Sequence, residues 1–93
     1  MIINWSSSYK RAFKKIIKHT PNIKSKIIST MKLLEQDPFD PKLKSHSLQG
    51  ILEDTWASSV AYDVRIIFTF VKNTATAETE LLLIDLGTHE EVY

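Results

Sequence analysis

The chain has three histidines, whose side chains are well suited to acid–base chemistry. Imidazole titrates near neutral pH, so it can accept or release a proton under ordinary conditions. His46 lies in a proline-bounded loop before a predicted strand, and His89 lies just after Gly87, which ends the last predicted strand. Loops at strand ends commonly carry functional residues. His19 lies at the predicted end of a helix, where a cation complements the helix dipole, so we assign it a structural or surface role.

A second pair of chemically capable residues, Asp63 and Arg65, falls within a strand predicted over residues 60–71. Residues two positions apart point to the same face of a strand, so we expect these side chains to be neighbours. The guanidinium group of Arg65 could hold a phosphate as a planar cation. The alternative interpretation is a plain surface ion pair, and the spacing alone does not exclude it.

Together these residues could supply what metal-independent RNA cleavage requires. The reaction needs a base for the 2′-hydroxyl, an acid for the leaving 5′-oxygen and positive charge on the phosphate. Each histidine taken singly is more ordinary as a surface residue, so the prediction depends on the combination. The candidate catalytic residues, which we expect to converge on one face of the sheet, are His46, Asp63, Arg65, His89 and Tyr93.

A metal site is a competing use of some of these side chains. His46, Asp63, His89 and Glu90 could in principle bind a metal, but no paired-ligand spacing such as HExxH supports such a site. The chain has no cysteine, which excludes disulfides and cysteine-rich metal sites and suits a reducing cytoplasm. We therefore expect no metal and no other cofactor.

The charge is distributed unevenly along the chain. Residues 1–48 carry ten Lys/Arg and three Asp/Glu, giving +7, whereas residues 49–93 carry two Lys/Arg and eight Asp/Glu, giving −6. The two halves could neutralise each other in the fold, or the basic half could contact phosphate groups. The candidate RNA- or ribosome-binding residues are Lys10, Arg11, Lys14, Lys15, Lys18, Lys24, Lys26, Lys42 and Lys44.

Two helices must position most of these basic residues. Residues 2–5 predict a short strand, and the serines that follow could cap a helix. Apolar residues spaced three and four apart from Tyr9 to Ile17 predict one buried helix face. A second helix is predicted from Pro21 to just before Pro38. The short connection between the helices predicts an antiparallel helical hairpin.

The second half of the chain is predicted to form strands, at about 51–57, 60–71 and 80–86. A turn is predicted at residues 58–59 and a hairpin loop at 72–79. The last strand is apolar on both faces, which is typical of an interior strand. The predicted fold is α+β with the order β-α-α-β-β-β. A small, mainly antiparallel twisted sheet would carry the helical hairpin on one face and leave the other partly open.

Length and composition place this fold in an ordinary class. The 93 residues, 43% hydrophobic and 25% charged, are enough for one globular domain, predicted over 1–93. The chain opens without a stretch apolar enough for a signal peptide, and no run approaches the ~18 apolar residues of a membrane span. We therefore expect a cytoplasmic protein without a membrane partner.

Three segments together resemble the RelE/ParE toxin superfamily of bacterial type II toxin–antitoxin modules: LKSHSLQG (43–50), AYDVRIIFTF (61–70) and LLLIDLGTHEEVY (81–93). The likeness is strongest to the RelE/StbE or YafQ-like mRNA interferase branch and spans nearly the whole chain. It implies a RelE-like fold and a metal-independent endoribonuclease that cleaves mRNA in the ribosomal A site. Such toxins inhibit translation, are neutralised by an antitoxin encoded beside them, and reach operator DNA only in the antitoxin complex.

The resemblance also implies roles for individual residues. His46 corresponds to the loop histidine before the second predicted strand, and Asp63 to the acidic residue of the third. Arg65 is similar to the phosphate-contacting arginine of many RelE-type members. His89 matches the histidine after the last strand, and Tyr93 matches the terminal aromatic residue. The basic helices resemble the surface that contacts ribosomal RNA.

The chain departs from the family pattern at Ser59, where YafQ-like enzymes carry a further histidine. His46 and His89 would then have to perform the work of three histidines, and the division of acid and base roles stays open. Two alternatives also stay open. One is a ParE-type toxin that inhibits DNA gyrase by binding. The other is a catalytically degenerate toxin that only binds its antitoxin.

Overall fold

A computed structural model describes residues 1–48 and 54–88 of the chain. Within these residues the strands are β1 (Ile3–Trp5), β2 (His46–Ser47), β3 (Thr55–Ala61), β4 (Val64–Lys72) and β5 (Thr79–Thr88). They form one sheet in the order β1-β5-β4-β3-β2. β1 is parallel to β5, and the other neighbouring strands are antiparallel.

Two helices, α1 (Ser7–His19) and α2 (Lys24–Gln36), pack on this sheet. The Ser6 hydroxyl accepts a hydrogen bond from the Tyr9 backbone N–H at 3.0 Å, which caps α1. Short 3₁₀ turns occupy Pro21–Ile23 and Pro41–Leu43. The predicted α+β class, with two helices against a mainly antiparallel sheet, is confirmed. No helix in the described residues is long and apolar enough to cross a membrane.

Both helices and the sheet contribute to one hydrophobic core. Its fully buried members include Tyr9, Ile27 and Leu34 from the helices and Ile66, Phe68, Leu81 and Leu83 from the sheet. The phenolic oxygen of Tyr9 is also buried and has no hydrogen-bond partner among the described residues. Burial raises the pKa of the Tyr9 hydroxyl well above its ordinary value.

β5 is an interior strand, as its apolar character predicts, because it pairs with β1 on one side and β4 on the other. Ile67 pairs with Asp85 and Phe68 pairs with Leu83, which leaves Ile84 as an extra residue in a β-bulge. The bulge lets Leu83 and Leu86 both join the core although they are three positions apart.

The β3–β4 hairpin departs from the sequence prediction. The predicted turn at 58–59 is wrong, because Ser58 and Ser59 lie inside β3. The single strand predicted over 60–71 is also wrong, because Tyr62 and Asp63 form a turn that divides it. Apolar alternation continues through this turn, so sequence periodicity could not locate it. Ser58 tolerates complete burial because its hydroxyl is hydrogen-bonded to the Ser45 hydroxyl at 2.7 Å.

Two smaller corrections concern strand ends. The loop predicted before residue 48 contains the two-residue strand β2, which is too short to give a periodic signal. The strand predicted at 51–57 is described only from Thr55, and residues 51–53 lie outside the described part. β5 also continues through Gly87 to Thr88.

Candidate functional site

His46 is exposed on the edge strand β2, directly opposite Ala57 of β3. The preceding loop sets its position: the Asp40 carboxylate accepts a hydrogen bond from the Lys42 N–H at 2.9 Å, and Lys44 adopts left-handed backbone angles. The His46 Nδ1 lies 3.2 Å from the Lys44 carbonyl oxygen. A carbonyl only accepts, so this contact favours the tautomer with its proton on Nδ1 and its basic lone pair on Nε2.

Arg65 lies on the same face of the sheet as His46, the face away from the helices. The register pairs Ser59 with Arg65 and Ala57 with Ile67, while the alternate residue Ile66 belongs to the core. Strand spacing puts the Cα atoms of His46 and Arg65 about 12 Å apart. Ala57, between them, is fully buried. This face therefore carries a potential base and a cation on two strands that are separated by β3.

The Arg65 side chain is half-buried and held from one side. Its Nη1 donates to three backbone carbonyl oxygens, at 2.9 Å to Ala61, 3.2 Å to Tyr62 and 3.3 Å to Val64. The Ser59 hydroxyl oxygen lies 3.4 Å from the same nitrogen. All of these hydrogen bonds come from Nη1, so within the described residues they orient the guanidinium plane through one of its nitrogens.

Asp63 is placed differently from its prediction. It is exposed in the two-residue turn and not on the strand, so the expected same-face arrangement with Arg65 is wrong. Asp63 and Arg65 are both among the described residues, and no ion pair joins them. The alternative of a plain surface ion pair is therefore not observed. The neighbouring Tyr62 side chain is 98% exposed, although the alternation over 60–71 assigns it to the core face.

The remaining predicted catalytic residues, His89 and Tyr93, lie outside the described residues, so the site is described only in part. His19 is exposed at the end of α1, as predicted. Within residues 1–48 and 54–88, no group of three or more His, Cys, Asp or Glu side chains could hold a metal ion.

The nine predicted RNA- or ribosome-binding residues are all exposed. Helix α1 contains no acidic residue, so its solvent side carries one sign of charge. A surface of this kind attracts polyanions over distances comparable to the Debye length. The helices therefore present a basic surface that is separate from the sheet face bearing His46 and Arg65.

A groove of about 370 Å³ between α1 and the end of β5 was not predicted from the sequence. β1 pairs with β5 only over Leu81–Leu83, so the helix borders the last part of β5 directly. The groove is a consequence of the sheet topology. The one local sign of it in the sequence is that Lys15 and His19, which line it, lie one turn apart on α1. The lining includes Lys15, Ile16, His19, Val64, Asp85 and Leu86.

Comparison with solved structures shows that this fold is similar to that of several bacterial toxins. A YafQ point mutant from E. coli superposes with a TM-score of 0.80 and 22% identity, covering 98% of this chain and 96% of that chain. The E. coli DinJ-YafQ complex gives 0.77 and 20%, with 98% and 96% covered. A YoeB/ParE toxin from Agrobacterium tumefaciens gives 0.77 and 18%, with 96% and 99% covered.

These identities are low, so the superpositions show the fold alone. No curated protein sequence matches the chain significantly. A family model does match it, over residues 1–93, and is described as the bacterial toxin of a type II toxin-antitoxin system, YafQ. The match covers the whole chain, and the fold agrees with it. The chain therefore belongs to the YafQ family of bacterial type II toxins.

Proposed function

We propose that this toxin is a ribosome-dependent mRNA endonuclease that inhibits translation and is neutralised by a cognate antitoxin. The observation that carries the proposal is the placement of His46 and Arg65 on one face of the sheet, with the Arg65 guanidinium already oriented. Family membership supports the same reading. A base and a fixed cation on one surface are two of the three groups that metal-independent cleavage needs.

In the proposed reaction, the 2′-oxygen of the substrate attacks the adjacent phosphorus and the 5′-oxygen leaves. His46 and Asp63 are the candidates for removing the 2′-hydroxyl proton and for orienting the substrate. Arg65 stabilises the extra negative charge on the phosphate in the transition state. His89 or Tyr93 protonates or stabilises the leaving oxygen. The products are a 2′,3′-cyclic phosphate and a free 5′-hydroxyl, so no metal or other cofactor enters the balance.

The basic surface of the two helices supports binding to ribosomal RNA. The nine exposed cations, seven of which lie on the helices, would contact phosphates and would make binding weaken as salt rises. In the same scheme mRNA in the translating ribosome is the substrate. The reaction therefore takes place in the cytoplasm.

The antitoxin is proposed from the family. E. coli YafQ has been crystallised in complex with DinJ, and we propose that an antitoxin encoded beside this chain neutralises it in the same general way. Operator DNA would be bound only by that complex. The chain on its own would then contact ribosomal RNA and mRNA and no DNA.

The proposal is tested by inducing the wild type and a His46→Ala/His89→Ala double variant in bacteria. We expect growth arrest with the wild type only, and mRNA ends that map within codons of translated messages. Lys72→Ala, which removes an exposed cation far from the site, is the matched control and should retain toxicity. Equal arrest by wild type and double variant would contradict the histidine mechanism.

Other outcomes identify the rival functions. DNA damage with intact mRNA would indicate a ParE-type gyrase inhibitor. No growth effect from the wild type, together with tight antitoxin binding, would indicate a degenerate toxin.

A further inference from the structure

The Tyr62–Asp63 turn lacks the features that normally make a two-residue hairpin turn stable by itself. Such turns favour types with positive φ, and so favour Asn-Gly or Asp-Gly. Among the described non-glycine residues, positive φ occurs only at Lys44, Asp54 and Ala77. Neither Tyr62 nor Asp63 has positive φ, so this turn is of neither type that two-residue hairpin loops prefer. The pairing of β3 with β4 also shifts register between Ser59 and Ala61.

Hydrogen bonds from Arg65 stabilise this turn, which its own sequence does not stabilise. The carbonyl oxygens of Ala61, Tyr62 and Val64 converge on the Arg65 Nη1 at 2.9 to 3.3 Å. These residues are the last of β3, the first of the turn and the first of β4. The two N–H groups of Nη1 are shared among these acceptors, and hydrogen bonds from a charged donor are stronger than those from a neutral one. The contacts therefore join the two strands across the turn.

We propose that Arg65 is a positioning residue for the turn, and that it acts on the reaction through Asp63. Asp63 follows Tyr62, whose carbonyl Arg65 holds, and precedes Val64, whose carbonyl Arg65 also holds. The Asp63 carboxylate is exposed and has no ion pair with Arg65, so Arg65 controls its position through the backbone. This role is distinct from contact with phosphate, because it depends on the hydrogen bonds of Nη1 with the turn. The proposal depends on the proposed function at one point only, which is that Asp63 takes part in cleavage.

The first test examines the free protein by NMR, without RNA. In Arg65→Lys and Arg65→Ala we expect the amide resonances of Tyr62, Asp63 and Val64 to shift, and exchange of the amide protons in and beside the turn to accelerate about tenfold or more. Lysine keeps a charge but loses the planar fork, so it keeps the fold while testing the geometry. Lys72→Ala, at the other end of β4, is the control. Unchanged resonances and exchange rates in both Arg65 variants would overturn the proposal.

The second test is a double-mutant cycle on cleavage by programmed ribosomes. Arg65→Lys and Asp63→Asn should each lower kcat, by roughly a hundredfold, because a displaced catalytic group loses its alignment. Arg65 also stabilises the phosphate in the proposed reaction, so part of its effect should remain without Asp63. If Arg65 acts through Asp63 as well, Arg65→Lys should cost at least several-fold less in the Asp63→Asn background than in the wild type. Losses that multiply, or an Asp63→Asn variant with full activity, would overturn the role in the reaction. If the wild type cleaves nothing, the proposed function fails, whereas the NMR result still decides whether Arg65 holds the turn.

Discussion

The two ends of β4 are connected to their neighbours in contrasting ways. At one end, the β4–β5 loop stabilises itself: the Asn73 carboxamide oxygen accepts from the N–H groups of Ala75 and Thr76, at 2.9 and 3.3 Å. At the other end, the Tyr62–Asp63 turn depends on Arg65, which lies within the strand. The first loop can therefore change without affecting the candidate site, whereas the second turn contains Asp63, a residue of that site.

We expect the largest effect from a variant in which the Tyr62–Asp63 turn is stable without Arg65. Replacing Tyr62 and Asp63 with Asn and Gly introduces the preferred turn sequence. We expect cleavage to fall about a hundredfold because Asp63 is lost. We also expect Arg65→Ala to cost less stability in this background than in the wild type. Urea unfolding of the four proteins measures this difference, and an equal cost in both backgrounds would contradict the dependence of the turn on Arg65.

The opposite loop gives the complementary prediction. Asn73→Ala removes the acceptor for two loop N–H groups and the donor to the Glu80 carboxylate. We expect it to lower the free energy of unfolding by about 1–2 kcal/mol and to leave toxicity within about twofold of wild type. Urea unfolding and growth arrest measure the two effects. A large loss of toxicity in a folded variant would contradict the idea that the two ends of β4 differ in their effect on the candidate site.

Changes on the face of the sheet that the helices cover should alter stability and leave cleavage unchanged. This face is therefore a reference for the two ends of β4. The Tyr9 hydroxyl is buried without a partner among the described residues, so Tyr9→Phe should raise the free energy of unfolding by about 1 kcal/mol. Burial raises the pKa of Tyr9, so the folded state keeps this proton when the unfolded chain loses it. Wild-type stability should therefore decline above about pH 10 more steeply than that of the variant. Parallel alkaline decline in both proteins would contradict this reading.

The smallest expected effect lies beside the β4–β5 loop. Hydrogen bonds from Asn73 and then Asn4 lower the pKa of Glu80, so the ionised carboxylate stabilises the folded state. This stabilisation is present above the unfolded pKa of about 4.3 and is lost as pH falls below it. Glu80→Gln should be slightly less stable than wild type at pH 7 and indistinguishable at pH 3. Thermal unfolding at both pH values checks the sign.

Local sequence signals predicted the helical part of this fold well. Apolar spacing and the serine cap located α1, because both signals depend on neighbouring residues only. The apolar run in β5 likewise indicated an interior strand. The turn at Tyr62 and Asp63 gave no such signal, because neither residue is typical of a two-residue turn and the apolar alternation continues through it. Two residues of β2 are too few to show any period.

The candidate site could be predicted in its residue types but not in its geometry. His46 and Arg65 were singled out from their chemistry, and the strand register puts them on one face. The bonding of Arg65 to three carbonyls depends on where the chain turns, so it could not follow from spacing. The catalytic roles of all five predicted residues stay predictions: His46, Asp63, Arg65, His89 and Tyr93.

The parallel pairing of β1 with β5 has a consequence for the timing of folding. Ile3 pairs with Leu81, and β5 also completes the core against β4. Because β5 is synthesised after every other described element, the newly made chain cannot finish its sheet until that segment has emerged. Contacts this distant in sequence also slow folding. A chain with this topology therefore completes its sheet only after β5 has left the ribosome, and until then β1 has no parallel partner strand.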